Sequence, residues 1–110
     1  MNRGEIWTVA GGVYAAKPRP AVIIQDDLFD ATNSVTVAPM TSTLMDASLM
    51  RIRIAAGAEL VSGLELDSDV MIDKLTTVKR SNVQVRVGRL TADQVVEVER
   101  ALMVFLGLAR

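Results

Sequence analysis

Short strand-like runs separated by turn residues, with one helical pattern at the end of the chain, limit the folds that this sequence can adopt. The predicted strands cover residues 5–9, 21–25, 34–38, 51–54, 70–78 and 83–87. These runs lie too close together for the crossover helices that a parallel sheet needs. We therefore predict an α+β fold, in which a small, strongly bent antiparallel sheet or open barrel is covered by a single helix.

Alternation within two of these runs predicts which side chains are buried. In 51–54 both arginines fall on one face and both isoleucines on the other. In 83–87 the valines alternate with Gln84 and Arg86, so we expect all of these valines to face the core. Both runs are therefore predicted to be half-buried strands.

The closing helix is predicted over residues 92–108. Thr91 followed by Gln94 fits a capping box, and Asp93 lies in the first turn, where the helix dipole favours an acid. Apolar residues at helical spacing give the helix one face for packing against the sheet. These residues are Val95, Val98, Leu102, Phe105 and Leu106.

Composition narrows the chemistry more than the fold. The chain has 110 residues, enough for one modest core, so we predict a single domain over residues 1–110. With no histidine and no cysteine it has no imidazole base, thiolate nucleophile or thiolate metal ligand. The net charge of −1 argues against bulk electrostatic binding of nucleic acid but permits a local basic groove. We find no apolar run of membrane-spanning length and no signal-peptide pattern, and we expect a cytoplasmic protein.

The first candidate for chemistry is Arg19, which lies between two prolines in Lys17-Pro18-Arg19-Pro20. Each proline holds the residue before it in an extended conformation, so the backbone of Arg19 is largely preset. Pro20 is expected to be the first residue of the buried strand, because proline cannot donate to a sheet ladder. A guanidinium fixed at the start of a strand can bind a phosphate with little further ordering. The alternative is that Arg19 is only a solvated residue flanking a hairpin.

Thr41 is the second candidate. The strand 34–38 is expected to stop at Pro39, and Thr41, Ser42 and Thr43 follow shortly after it. Neutral hydroxyl donors at the end of a strand can hold an oxygen that gains negative charge in a transition state. The competing interpretation is that these residues only form the turn, as such residue types commonly do.

The acidic residues do not have the spacing of a metal site. The acids that follow strand 21–25 lack the glycine and the terminal glutamate of a calcium loop. Glu65, Asp67 and Asp69 occupy alternate positions and are not expected to converge. We predict that the protein needs no metal and no cofactor.

Aromatic side chains are few, which makes the candidates for base stacking easy to name. Trp7 lies in the first strand and is expected to pack in the core. Tyr14 lies in a glycine-rich loop and is the better candidate for stacking on a nucleic-acid base.

Five segments, spread in order over nearly the whole chain, together carry a family resemblance. They are Arg3-Gly4-Glu5-Ile6-Trp7, Arg19-Pro20-Ala21-Val22-Ile23-Ile24-Gln25, Val37-Ala38-Pro39-Met40-Thr41-Ser42, Asp73-Lys74-Leu75-Thr76-Thr77-Val78 and Gly88-Arg89-Leu90-Thr91. Each one is a weak signal, but in this order the chain resembles the MazF/PemK (Kid) toxins of bacterial toxin–antitoxin modules.

The resemblance implies a fold, an activity and partners. The fold would be an SH3-like barrel with a C-terminal helix, as in CcdB and PemK, and the protein a homodimer. The activity would be a metal-independent endoribonuclease acting on single-stranded RNA, neutralised by a cognate MazE-like antitoxin. By motif position Arg19 and Thr41 match the catalytic arginine and threonine of the family. The predicted RNA-binding residues are Tyr14, Lys17, Asp26, Ser42, Asp73 and Lys74.

The residue inventory agrees with that chemistry but leaves the general base open. Attack by the 2′-OH of the RNA on the adjacent phosphate needs only proton transfer and stabilisation of charge. We assign Arg19 to charge stabilisation and to proton delivery at the leaving oxygen, and Thr41 to donation to a non-bridging oxygen. No acid lies between Glu5 and Asp26 to take the 2′-OH proton. Two alternatives therefore stay open, a CcdB-like toxin that inhibits a protein such as gyrase and an inactive RNA-binding module.

Overall fold

Antiparallel strands followed by one helix make up the part of the chain that the computed structural model describes, residues 1–11, 15–47, 49–57 and 59–109. The strands are β1 (Glu5–Gly11), β2 (Ala15–Ile23), β3 (Ser34–Thr41), β4 (Arg51–Ile54), β5 (Ser68–Met71), β6 (Thr76–Lys79) and β7 (Val83–Arg89). The helix is α1 (Ala92–Phe105), and short 3-10 turns cover Asp27–Phe29, Ile72–Lys74 and Arg80–Asn82. None of the helices within those ranges has the length and apolar character needed to cross a bilayer.

The seven strands form one bent sheet. Their order is β4-β5-β3-β2-β1-β7, with β6 pairing β3 outside this path, and every ladder is antiparallel. In the described part of the chain no ladder joins the end strands β4 and β7, so the barrel stays open. The segment after β4 nevertheless reaches β7, where the Arg89 amide donates to the Val61 carbonyl oxygen at 2.9 Å. The predicted α+β fold with an open barrel is confirmed.

Apolar side chains pack on both faces of the sheet. The larger cluster lies between the sheet and α1 and includes Val22, Ile54 and Leu102. A smaller cluster on the other face includes Ala21 and Ile23, with Trp7 packed against it as predicted. Successive residues of a strand point to opposite faces, so burial on both sides explains why β2 has a continuous apolar run.

The boundaries of α1 follow from its capping groups. The Gln94 amide donates to the Thr91 hydroxyl oxygen at 3.2 Å, and the Thr91 amide donates to the Gln94 side-chain oxygen at 2.8 Å. This confirms the predicted capping box. The helix ends at Phe105, earlier than the predicted Leu108, because Gly107 takes a φ of 72° and closes the last turn.

The apolar face of α1 is shorter than predicted. Val98 and Leu102 are buried, but Phe105 and Leu106 are 45% and 54% exposed. The exposed side chains at the C-terminal end of the helix make an apolar surface. They are Met103, Val104, Phe105, Leu106 and Leu108.

Two proline predictions are wrong. β2 begins at Ala15, so Pro20 lies inside the strand, where it pairs with Thr8 of β1. Likewise Pro39 lies inside β3 and pairs with Ala21. Each proline is tolerated because it stands where the ladder between β2 and β3 ends, so one side of the strand needs no backbone donor.

Two other strand predictions are corrected. The predicted strand 70–78 is broken by the turn Ile72–Lys74, because the pairing of β3 shifts between β5 and β6 and the turn takes up the extra residues. In β7 Val83 is buried, but Val85 is 62% exposed. β7 pairs with β1 through irregular steps in register, and this edge strand therefore does not keep a strict alternation of buried and exposed residues.

Candidate active site

The candidate site lies where two paired strands separate. The ladder between β2 and β3 ends at the pair Ala21 and Pro39. Beyond it β2 continues beside β1, with Arg19 opposite Val9. β3 instead continues beside β5, with Thr41 opposite Asp69. Arg19 and Thr41 therefore stand on the two arms of a fork in the sheet, each just past the last shared pair.

All 3 prolines of the chain belong to this fork. Pro18 and Pro20 lie on the β2 arm and Pro39 on the β3 side. A proline has no backbone N–H, so it cannot extend a ladder across the gap. The prolines thus explain why β2 and β3 stop pairing there and leave room between them.

The room between the arms is an open cleft of about 1260 Å³, which we call the fork cleft. It is lined by residues 17–20 of β2, by 39–43 at the end of β3, and by 63–66 before β5. The remaining lining residues are Thr8, Ser68, Met71, Lys74, Thr76 and Val87. Its volume exceeds the roughly 300–1,000 Å³ of an ordinary small-molecule pocket, which suits a longer ligand.

The hydroxyl of Thr41 is oriented by its own turn. The Thr43 backbone N–H donates to the Thr41 Oγ1 at 3.1 Å. Because that oxygen already accepts one bond, the hydroxyl proton is left to be donated elsewhere. Thr41 lines the fork cleft, so a ligand oxygen there can receive this proton in a hydrogen bond.

Unpaired cations line the fork cleft. The side chains of Lys17, Arg19 and Lys74 are exposed, and none of them forms a salt bridge with the residues that the structure describes. By contrast Arg51 and Arg53 are each bound to an aspartate. Lys17, Arg19 and Lys74 therefore give the fork cleft positive charge that is free to meet a ligand, although the whole chain carries a net charge of −1.

The structure brings together most, but not all, of the predicted site residues. Ser42 lines the fork cleft beside Thr41. Asp73 does not line it, and its carboxylate accepts from the Arg51 Nε at 3.1 Å. Asp26 is exposed at the start of the turn Asp27–Phe29, also outside the lining. Tyr14 lies outside the described residues. Contact of Asp73, Asp26 and Tyr14 with RNA stays a prediction, as it does for the residues that line the cleft.

A buried carboxylate, missed by the sequence analysis, fixes the turn that follows Thr41. Asp69 is 1% exposed and lies opposite Thr41 in the ladder. It accepts from the Arg53 Nε at 2.8 Å and from the Met45 backbone N–H at 2.8 Å. The alternation of Arg53 in 51–54 was visible in the sequence, but its pairing with Asp69 depends on the register between β4 and β5. Asp69 therefore acts as a clamp on residues 42–45.

The hydrogen bonds to Asp69 stabilise its negative charge. Burial alone raises the pKa of a carboxyl, but the hydrogen bonds from Arg53 and from the Met45 amide outweigh burial and lower the pKa of Asp69 below its ordinary value. Its stabilising effect is therefore fully present above the unfolded-state value of 3.8 and is lost as the pH falls through the folded-state pKa. The pKa of Glu5 is lowered too, because hydrogen bonds from Trp7 and Asn2 and the charge of Arg86 outweigh its burial.

Replacing Asp69 by asparagine is expected to lower the free energy of unfolding at neutral pH by about 2 kcal/mol, since the new amide group faces a donor that it cannot satisfy. Chemical denaturation from pH 3 to 7 checks this. The variant should lose less stability in acid than the wild type does. The loss that remains comes in part from Glu5, whose pKa is also lowered in the folded protein. The matched control is Asp46→Asn, which removes a fully exposed carboxylate 3.7 Å from Arg53 and should change little. Equal stability of the two variants would contradict the clamp.

Within the described ranges no three acidic side chains lie close enough together to hold a metal ion. The donor groups that the fork cleft offers to a ligand are a guanidinium, ammonium groups and hydroxyls, and one carboxylate, Glu65, lies among them. Such donors bind and polarise a phosphate.

Comparison with known proteins places the chain in a family. The family model described as "PemK-like, MazF-like toxin of type II toxin-antitoxin system" matches residues 2–106. The chain is 54% identical over 110 residues to "Probable endoribonuclease MazF" of Mycolicibacterium smegmatis, covering 99% of each chain. It is 28% identical over 118 residues to "Endoribonuclease MazF9" of Mycobacterium tuberculosis, covering 98% of each.

Solved structures show the same fold. "Mycobacterium tuberculosis toxin MazF-mt6" superposes with a TM-score of 0.81 at 24% identity, covering 96% of this chain and 99% of that one. A MazE-MazF structure from Deinococcus radiodurans gives a TM-score of 0.72 at 19% identity, covering 98% of this chain and 96% of the other. Because the family model matches nearly the whole chain, the chain belongs to the PemK-like, MazF-like toxins of type II toxin–antitoxin systems.

Proposed function

We propose that this protein is an endoribonuclease toxin that cleaves single-stranded RNA at selected sequences, without the ribosome and without a metal ion. The observation that carries the proposal is the fork cleft, where Arg19 and Thr41 stand on separate arms among unpaired cations. The name of the M. smegmatis relative, a probable endoribonuclease that is 54% identical, supports the same activity.

The reaction uses a nucleophile that the substrate brings with it. The 2′-oxygen of a ribose attacks the adjacent phosphorus, and the bond from phosphorus to the 5′-oxygen of the next nucleotide breaks. The products are a 2′,3′-cyclic phosphate and a 5′-OH end. Because nucleophile and phosphate belong to one nucleotide, the protein has to orient them, transfer protons and stabilise the added charge.

Arg19 and Thr41 supply the stabilisation. The Arg19 guanidinium binds the non-bridging oxygens and delivers a proton to the departing 5′-oxygen. The hydroxyl of Thr41 donates to a non-bridging oxygen from the opposite arm, helped by the Thr43 amide that orients it. Lys17 and Lys74 hold neighbouring phosphates, and Ser42 offers a further hydroxyl donor. DNA is not cut, since it lacks the 2′-OH.

The proposal extends to partners. A cognate MazE-like antitoxin neutralises the toxin, which the solved MazE-MazF complex of a relative supports.

We also propose a homodimer, because a second copy of the chain would bury the exposed apolar end of α1 and the exposed Leu28 and Phe29. Arg3 links the turn that carries Leu28 and Phe29 to α1, through a salt bridge to Glu99 and a hydrogen bond from its amide to Asp27. The site of action is the cytoplasm, where the RNA is.

Primer extension on a long RNA treated with the purified protein in EDTA tests the function. We expect discrete stops that share a short recognition sequence and leave 5′-OH ends, and no stops once the antitoxin is added. Intact RNA together with inhibited DNA supercoiling by gyrase would overturn the proposal in favour of a CcdB-like toxin. Cleavage that stops with EDTA would overturn the metal-independent mechanism.

A further inference from the structure

The fork cleft contains one acidic side chain among its described lining residues, Glu65. The cations among the same lining residues are Lys17, Arg19 and Lys74. Glu65 is exposed and forms no hydrogen bond or salt bridge with the residues that the structure describes. It is thus an unpaired carboxylate in a cleft whose other polar side chains, among the described lining residues, are cations and hydroxyls.

The segment that carries Glu65 is fixed to the rest of the protein. Ser62 is buried, and its hydroxyl donates to the Ala55 carbonyl at 3.2 Å and accepts from the Leu64 amide at 3.4 Å. Gly63 has a φ of +66° and lies so close to β7 that an added Cβ would be 2.1 Å from the Val87 carbonyl oxygen. Leu64 is only 8% exposed and belongs to the larger core cluster. Glu65 therefore projects from an anchored backbone.

The same segment leads directly to the partner of Thr41. The chain enters β5 at Ser68, and Asp69 pairs with Thr41 across the ladder. β3 and β5 are antiparallel, so the residues before Ser68 run on beyond the Thr41 end of β3. Glu65 lies on this continuation, and both it and Thr41 line the fork cleft.

A carboxylate opposes RNA binding in such a place, because it repels the phosphates that the cations attract. The proposed reaction, however, lacks a base. The guanidinium of Arg19 has no lone pair with which to accept a proton and a threonine hydroxyl is a poor acceptor, whereas a carboxylate takes up a proton readily. We infer that Glu65 is the general base that removes the proton from the attacking 2′-OH, an inference that rests on the proposed ribonuclease function.

The step balances with the groups present. Glu65 takes the 2′-OH proton as the 2′-oxygen forms its bond to phosphorus. The bond between phosphorus and the 5′-oxygen breaks, and that oxygen leaves with a proton from Arg19. After the products depart, Glu65 loses a proton to water and Arg19 regains one. Neither residue is consumed.

The test uses a 5′-labelled oligoribonucleotide that spans one cut mapped with the wild type, under single-turnover conditions from pH 4.5 to 8. For Glu65→Gln we expect the saturating rate constant to fall by about 10²–10⁴-fold, with RNA affinity unchanged or tighter. The wild-type rate should fall in acid as the base becomes protonated, and Glu65→Gln should lose this dependence. Glu65→Asp should recover part of the rate. The matched control is Glu59→Gln, which makes the same change of charge at an exposed acid outside the lining.

Each contrary result has its own meaning. A saturating rate of Glu65→Gln within a few-fold of wild type, or an unchanged loss of rate in acid, overturns the general-base role while the ribonuclease function stands. Weaker RNA binding with an unchanged saturating rate also overturns it, since Glu65 would then contact a base of the RNA. A wild-type protein that does not cut RNA removes both this inference and the proposed function.

Discussion

Replacing Arg19 by alanine is expected to slow RNA cleavage by about 10³-fold and to abolish growth arrest in cells that express the protein. The reason is geometric as well as electrostatic. Arg19 is held in an extended strand between two prolines, so its guanidinium already faces the fork cleft before RNA arrives. Arg19→Lys keeps the charge but loses the planar pair of donors, and we expect it to recover only a small part of the rate.

The cleavage rate has to be read against the folded state of each variant. Arg19 is exposed and forms no salt bridge with described residues, so its truncation should leave the unfolding midpoint nearly unchanged. Arg100→Ala is the matched control, because it removes another exposed arginine on the surface of α1, away from the fork cleft. This control should cut RNA at the wild-type rate. A folded Arg19→Ala protein that also cuts at the wild-type rate would show that Arg19 has no catalytic part.

Gly63→Ala is expected to have the largest effect on stability, a loss of about 3 kcal/mol in the free energy of unfolding, from backbone strain together with overpacking. The φ of +66° disfavours any side chain, and the new Cβ would meet the Val87 carbonyl oxygen at 2.1 Å. Since that oxygen belongs to the backbone, relief requires the segment to move away from β7. Urea denaturation followed by circular dichroism measures the loss.

Gly57→Ala is the control for this substitution. A Cβ at that position would lie 3.4 Å from two Leu60 side-chain atoms, which is ordinary packing. We expect the free energy of unfolding of Gly57→Ala to stay within about 0.5 kcal/mol of the wild-type value. If Gly63→Ala were as stable as Gly57→Ala, the backbone around Gly63 would be free to move away from Val87, which would contradict the rigid contact. Cleavage should fall in Gly63→Ala too, because its strained segment carries Glu65.

Local patterns in the sequence predicted the elements that depend on near neighbours. The capping box of Thr91 and Gln94 gave the start of α1 correctly, and alternation in 51–54 gave the bounds of β4. Taken without its partner strand, each of Pro20 and Pro39 predicts a strand boundary, and both predictions are wrong. A proline is compatible with a strand that has no ladder on one side. That unpaired side is created by the separation of β2 and β3, which the sequence alone does not reveal.

The sequence likewise predicts only those residues of the site that carry a local signal. Arg19 and Thr41 each carried a local signal, a preset backbone and a cluster of hydroxyls, and the structure places both at the fork cleft. Glu65 and Asp69 carried none, because their roles depend on long-range neighbours. Asp69 meets Arg53 through the register of β4 and β5, and Glu65 lines the cleft on a segment whose Gly63 packs on β7.

The position of Trp7 makes it an internal optical reporter. It is the 1 tryptophan of the chain, and it lies on β1 between Ala21 of β2 and Arg86 of β7. β2 contributes Arg19 to the lining of the fork cleft, and β7 contributes Val87. Emission from this single indole therefore reports on the strand that joins β2 to β7, with no label to attach and no second tryptophan in the chain to subtract.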